Sequence, residues 1–235
     1  MMKQHAIDEY PKESCGLLLK DGTYEPLENE HPEPEKAFKI DGLKILGREK
    51  EIHAIIHSHP DGNRYPSHMD MVSQCQLNIP FGIVWTNGEI AEEPFFWGNG
   101  IERLPLVGRP FRHGVTDCYS IIKDWYEMNG IEIPDFPRKW DWWKKHEDLY
   151  SVNFEKAGFK RVEGDPKIGD VIFFCIASRV VNHAAIYIGG SQIIHHLNYD
   201  KKGHSPASLS KQDSYYQWDQ YATYKVRHDK SSLIR

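Results

Sequence analysis

The sequence predicts a two-domain α+β protein, and three observations carry that prediction. The first is length: 235 residues suffice for one large domain or two small ones, each with its own core. The second is a break at "IERLPLVGRPFRHG", residues 101–114, where two Pro and two Gly interrupt any period. The third is the order after that break: one helix, then several strands, with no βαβ alternation. The expected units are residues 1–100 and 115–235, joined by a linker over 101–114 that is ordered because its apolar content is high.

Each element has a local reason. "KQHAIDEY" reads as a short helix stopped by Pro11, and "ESCGLLLKDG" as a strand turning at Asp21-Gly22. Residues 29–36 form a polar, Pro-broken loop. "EIHAIIHSHP" is an apolar strand whose end delivers His57 and His59. "PSHMDMVSQCQLN" reads as a helix with Ser67 as its N-cap, and "FGIVWTNGEIAEEPFFW" as a hairpin turning at Asn87-Gly88. Beyond the break, "TDCYSIIKDWYEMNG" is a helix capped by Thr116 or Asp117 and ended by Gly130. "DVIFFCIA", "NHAAIYIGG" and "QIIHHL" are strands separated by Gly-containing turns, and "ATYKVRH" is a fourth.

Composition narrows the classes of function. Hydrophobic residues make up 40% and charged residues 27%, with a formal charge of −5, so nothing favours nucleic acid or an anionic membrane as partner. No apolar run approaches the roughly 20 residues a membrane span needs. The N-terminal stretch lacks the apolar core of a secretory signal, which points to synthesis and folding in a reducing cytoplasm. Cys15, Cys75, Cys118 and Cys175 form no CxxC pair, so neither disulfides nor a Cys-rich zinc site is expected.

"HSHPDGNRYPSHMD", residues 57–70, collects metal-binding groups. Zinc binds imidazole and carboxylate, and a catalytic site keeps three protein ligands and one open position. Two His one residue apart on a strand share a face. Asp70 lies one turn into the following helix, so loop 60–66 can fold it back toward them. Ser67, three residues earlier, shares its helical face. A zinc-bound water, its pKa lowered to about 7, needs one nearby base. Glu13, just ahead of an apolar strand, is the best-placed carboxylate. His68 falls off the pattern and reads as a solvated side chain. The whole pattern, with the upstream ExxG, resembles the JAMM motif of MPN metalloprotease domains. The resemblance implies zinc on His57, His59 and Asp70, Glu13 as general base, Ser67 as a donor to the oxyanion, and cleavage of amide or isopeptide bonds. MPN domains without the ligands serve as scaffolds.

A second constellation needs a thiolate. Cys118 sits in the first turn of the predicted helix, where the helix dipole and a neighbouring imidazolium lower a thiol's pKa from about 8.5. His183 opens one strand and His195 lies in the next, and the Gly-Gly turn between them would bring the two rings side by side. His183 would then be the base and His195 the residue that fixes its tautomer. His196 competes for that third role; alternation sends the two to opposite faces, and spacing favours His195. Cys15, Cys75 and Cys175 read as structural, and His113 fits no role.

Together "DCYS", "GDVIFF", "NHAAIYIGG" and "IIHH" resemble the NlpC family of papain-like cysteine peptidases. The resemblance implies a Cys118–His183–His195 triad and cleavage of peptidoglycan stem peptides, typically at the γ-D-glutamyl to diamino acid bond. Tyr119-Ser120 replaces the family's usual Ser-Gly after "DC", and the Gly-rich approach is shortened to "FRHGVT". The two motifs on one chain, in this order, resemble a family of tail assembly proteins of lambda-like phages. That implies a tail-tip location, action at the host cell wall and other tail-tip proteins as partners. The alternatives from other classes are an assembly scaffold with vestigial centres and a processor of tail proteins. Trp140, Trp142 and Trp143 read as core and cleft-edge residues, against a docking patch for tail partners or glycan.

Overall fold

The computed structural model describes residues 1–198 and 202–234. The chain divides into two compact units, Met1–Glu102 and Arg103–Arg235. Among the described residues, no helix is long and apolar enough to cross a membrane.

The first unit starts with helix α1 (Met2–Asp8), followed by strands β1 (Cys15–Leu19), β2 (Tyr24–Leu27) and β3 (Ile52–Pro60). Helix α2 (His68–Leu77) then leads to β4 (Phe81–Thr86) and β5 (Phe95–Trp97). The sheet order is β2-β1-β3-β4-β5. Only the β3–β4 pair is parallel, and α2 is its crossover. The central strand β3 is covered on both faces, and its residues are buried nearly throughout. On one side Ala54 and Ile56 pack with Ala6, Tyr24 and Val84. The glycine of "ESCG" is needed for close approach: a Cβ at Gly16 would lie 2.5 Å from the Glu25 carbonyl oxygen.

The second unit contains β6 (Pro110–Arg112), α3 (Cys118–Met128), α4 (Leu149–Asn153), β7 (Phe159–Val162), β8 (Val171–Phe174), β9 (His183–Gly189), β10 (Gln192–His195), β11 (His204–Leu209), β12 (Lys211–Ser214), α5 (Tyr215–Trp218) and β13 (Ala222–His228). Its main sheet runs β12-β10-β9-β8-β13-β7, antiparallel throughout. Helix α3 presents Ile121, Ile122, Trp125 and Tyr126 at helical spacing to a core with Val171, Phe173, Ala184, Ile186 and Val226. Each large side chain buried there contributes about 1.5–3 kcal/mol.

The segment 101–114 is more than a connector. Residues 110–112 form β6, which pairs with β11 (Ser205↔Phe111, His204↔Arg112), and Arg109 and Phe111 are buried. Its partner strand lies more than ninety residues downstream, so no local pattern announces it. The same applies to β11 and β12, which are short and polar.

Candidate functional site

The metal-type cluster is built by one continuous stretch. Strand β3 aims His57 and His59 to one face, and α2 turns Asp70 back onto them. Asp70 is held by a reciprocal cap: Ser67 Oγ accepts from the Asp70 N–H at 3.1 Å, and Asp70 Oδ2 accepts from the Ser67 N–H at 2.6 Å. The three ligand atoms form a triangle. His57 Nε2 and His59 Nε2 are 3.1 Å apart, and Asp70 oxygens lie 3.4 Å from the first and 3.5 Å from the second. Four ligands held tetrahedrally about 2.0–2.1 Å from a zinc ion stand about 3.3 Å apart, so these edges fit one ion with a fourth position open. The chemistry of the donors agrees: His59 Nδ1 donates to the Asn63 carbonyl at 2.7 Å, which leaves Nε2 with its lone pair. His57 stacks on Phe38 with ring centroids 4.4 Å apart, and its Nδ1 is buried without a hydrogen bond.

Electrostatics follow from burial. Desolvation would raise the Asp70 carboxyl, but His57 and His59 outweigh it and hold the group well below the usual carboxylate range. Burial drives His57 down, whereas for His59 the bond to Asp70 overcomes burial and raises it. Glu13 arrives from the neighbouring strand. Cys15 pairs with His57, and the Ser58 N–H donates to the Ser14 carbonyl at 3.0 Å, so Glu13 falls opposite His59. Burial pushes its carboxyl up to about 7; His59 opposes this and Asp70 adds to it. Glu13, His59, Ser67 and Asp70 all line one cleft of about 750 Å³.

The thiol cluster draws on distant segments. Cys118 opens α3, and the helix is capped by Asp117, which accepts from the Ser120 N–H at 3.0 Å and the Gly114 N–H at 2.8 Å. Arg138 completes that carboxylate with a two-pronged ion pair at 2.9 and 2.8 Å. Across the hairpin of β9 and β10, His183 Nε2 lies 2.9 Å from His195 Nδ1. His195 Nε2 lies 3.0 Å from Asp213 Oδ2, which also accepts from Trp218 Nε1 and Lys211.

This chain of bonds fixes the tautomers. An ionised carboxylate only accepts, so His195 donates through Nε2 and accepts at Nδ1. His183 must then donate through Nε2, which leaves its Nδ1 as the basic nitrogen. His196 lies outside the chain: its ring nitrogens meet the carbonyls of Thr116 at 2.5 Å and Ser208 at 2.8 Å. His113 is likewise bound to a carbonyl, that of Arg138 at 3.0 Å, and lies 3.6 Å from Asp117.

Cys118 and His183 line one cavity of about 430 Å³. The thiol is 3.1 Å from the Tyr150 hydroxyl and takes a hydrogen bond from the Ala184 N–H, next to His183. The helix terminus does not leave it acidic. Burial, and then Asp117, push it up to about 11, against the opposing effects of Tyr150, Ala184 and Arg138. The residue that caps the helix also carries the charge that cancels its dipole. Burial lowers His183 well below its usual range, with His195 and His196 adding to the effect.

Asp213, Tyr150 and Arg138 were not singled out in the sequence. Asp213 sits two positions beyond the Lys211 that pairs with His195, on a strand that no sequence pattern announces. Tyr150 reaches the site from the short helix α4 and Arg138 from an irregular segment, and neither had a signal. Trp142 is buried, and Trp140 and Trp143 are partly covered; all three line the thiol cavity.

Residues 93–223 match the NlpC/P60 family and residues 1–98 match the prokaryotic homologs of the JAB domain. The chain belongs to the NlpC/P60 family and carries a JAB-like domain ahead of that region. It is similar to tail tip assembly protein K of Escherichia phage lambda, with 40% identity over 167 residues, 70% of this chain and 75% of that protein. Tail tip assembly protein K of Escherichia phage N15 is 31% identical over 204 residues, 82% of this chain and 81% of its own length. The probable TtuB-protein conjugate cleaving protease of Thermus thermophilus is 34% identical over 96 residues, 37% of this chain and 64% of that protein.

Proposed function

We propose that this chain is a phage tail-tip protein that hydrolyses amide bonds in peptidoglycan, made in the host cytoplasm and used at the host cell wall. The observation that carries the thiol reading is the chain His183–His195–Asp213, whose first member lines one cavity with Cys118. His183 Nδ1 takes the thiol proton as sulfur attacks the carbonyl carbon of a stem-peptide bond of the γ-D-glutamyl to diamino acid type. Asp213, acting through His195, stabilises the imidazolium that forms. That imidazolium returns the proton to the departing amine, leaving a thioester on Cys118. Water, deprotonated by His183, then releases the acid and restores the thiol.

In the first unit, His57, His59 and Asp70 would hold a zinc ion. When bound, zinc would supply an acidified water and polarise the amide carbonyl. Glu13, with its raised pKa, suits the receipt and return of a proton near neutral pH, and the Ser67 hydroxyl suits donation to an oxyanion. The bond addressed there is an amide or isopeptide.

Mass spectrometry of cell-wall digests tests the thiol centre. Wild type should release stem-peptide fragments, and Cys118→Ala should not; identical fragment profiles would end the thiol reading. A second reading, assembly with other tail-tip proteins as partners, draws on the names of the two phage relatives. Phage carrying Cys118→Ala and His57→Ala separates the two: normal tails that fail to infect favour catalysis, and absent tails favour assembly.

A further inference from the structure

The loop that joins β3 to α2 carries more side-chain contacts than a connector needs, and they converge on one peptide group. His59 owes its orientation to the Asn63 carbonyl, which accepts from its Nδ1 at 2.7 Å. His57 has no such support: its Nδ1 is buried without a hydrogen bond, and its ring is held by packing against Phe38, Phe81 and Trp97. A hydrogen bond at the outer nitrogen fixes both the tautomer and the ring plane of a ligating imidazole. The Asn63 carbonyl therefore sets the aim of the His59 Nε2 lone pair, and whatever holds that carbonyl holds the lone pair too.

Both neighbours of Asn63 are gripped by a single indole. Trp85, on β4, lies beside His59 in the parallel β3–β4 register. Its Nε1–H donates to the Gly62 carbonyl at 3.1 Å. The Arg64 guanidinium lies 3.7 Å from the centre of the same ring, a contact that is strongest over Trp. Arg64 Nε also donates to Glu92 at 2.7 Å, and the Glu92 N–H returns to the Trp85 carbonyl at 2.9 Å. Upstream, Asp61 turns the chain in the left-handed region (φ 51°) and is pinned twice. Its N–H donates to the Thr86 carbonyl at 2.8 Å, and its carboxylate accepts from the Tyr10 hydroxyl at 2.6 Å. The chain is thus tied down on either side of Asn63, which leaves its carbonyl little freedom to swing away from His59.

We propose that Trp85 and Arg64 are positioning residues of the metal site: they clamp residues 62–64 so that the Asn63 carbonyl fixes His59 for an ion. This rests on the metal reading above. Both act through that carbonyl rather than as ligands. An indole suits the task because its edge supplies a donor and its face a seat for a cation, so one side chain holds a peptide from two directions.

The test measures the zinc affinity of the full chain by competition with a chromogenic chelator, with His57→Ala as the background for other zinc-binding groups. Trp85→Phe keeps a ring for Arg64 and removes the donor; Arg64→Met keeps the stem and removes the cation. Each should weaken zinc binding by about tenfold, the lower end of the range for partners behind a metal-bound imidazole. Melting of the metal-free protein should change little. A merely structural role would do the opposite, lowering that melting temperature and leaving zinc affinity at the wild-type value. The Arg64 side chain is 33% exposed, so Arg64→Met reads the clamp even if Trp85→Phe fails to fold. Wild-type zinc affinity in Arg64→Met, and in Trp85→Phe where it folds, overturns the proposal alone. Wild type that binds zinc no more tightly than His57→Ala would end the metal reading, and the clamp with it.

Discussion

The two clusters are assembled in opposite ways. His57, His59 and Asp70 come from one strand–loop–helix stretch of fourteen residues, and a local cap fixes the third member. Cys118, His183, His195 and Asp213 span almost a hundred residues and meet only because α3 packs on β9 and β10 lies between β9 and β12. A local site depends on a turn, whereas a dispersed site depends on a whole core. The first should therefore be sensitive to substitutions in its own loop, and the second to anything that loosens its unit.

The sharpest way to break this contrast is to remove one reacting group from each side. Cys118→Ala should lower hydrolysis at the thiol centre by at least about 10³-fold, while zinc content stays unchanged. His57→Ala should do the reverse: elemental analysis should fall from about one zinc per chain to a small fraction, with thiol-centre turnover retained. Coupled losses would show that the two centres are not independent. Next comes Asp213→Asn, which lets the tautomers of His195 and His183 reverse; kcat should fall by about 10²-fold with KM little changed.

A pH titration probes the second unit's dependence on its interior. His113 is neutral in the fold, because burial lowers its pKa from 6.5 to about 4; Asp117 opposes that shift. Its neutral form is thus favoured by folding. The corresponding stability is complete above pH 6.5 and is lost as pH falls toward 4, by roughly 3 kcal/mol. Denaturant unfolding at pH 7 and pH 4.5 should show the loss, and His113→Gln should flatten it. The smallest effect is expected for Ser67→Ala, which removes a cap: about 1 kcal/mol from the first unit by thermal unfolding, with weaker zinc affinity.

The same contrast explains what could be read in the sequence. The local cluster was legible because spacing on a strand and position on a helix fix side-chain direction. The placement of Ser67 as N-cap came from the same rules. In the dispersed site, "DCYS" and the Gly-Gly hairpin announced Cys118, His183 and His195. Their supports did not show: Arg138 reaches Asp117 from an irregular segment, and Asp213 sits on a short polar strand whose partner is set by register. The expected linker concealed β6 for the same reason. The Cys118 thiol is raised by burial first and by the Asp117 charge second, and position on a helix reveals the depth of neither.

One carboxylate, Asp70, both begins a helix and closes a triangle of donors. The seven residues from Pro60 to Pro66 therefore act as a ruler. Adding or deleting a residue there would let the helix re-form with its cap intact yet rotated away from the imidazoles. The chain would still fold, but it would lose its grip on an ion.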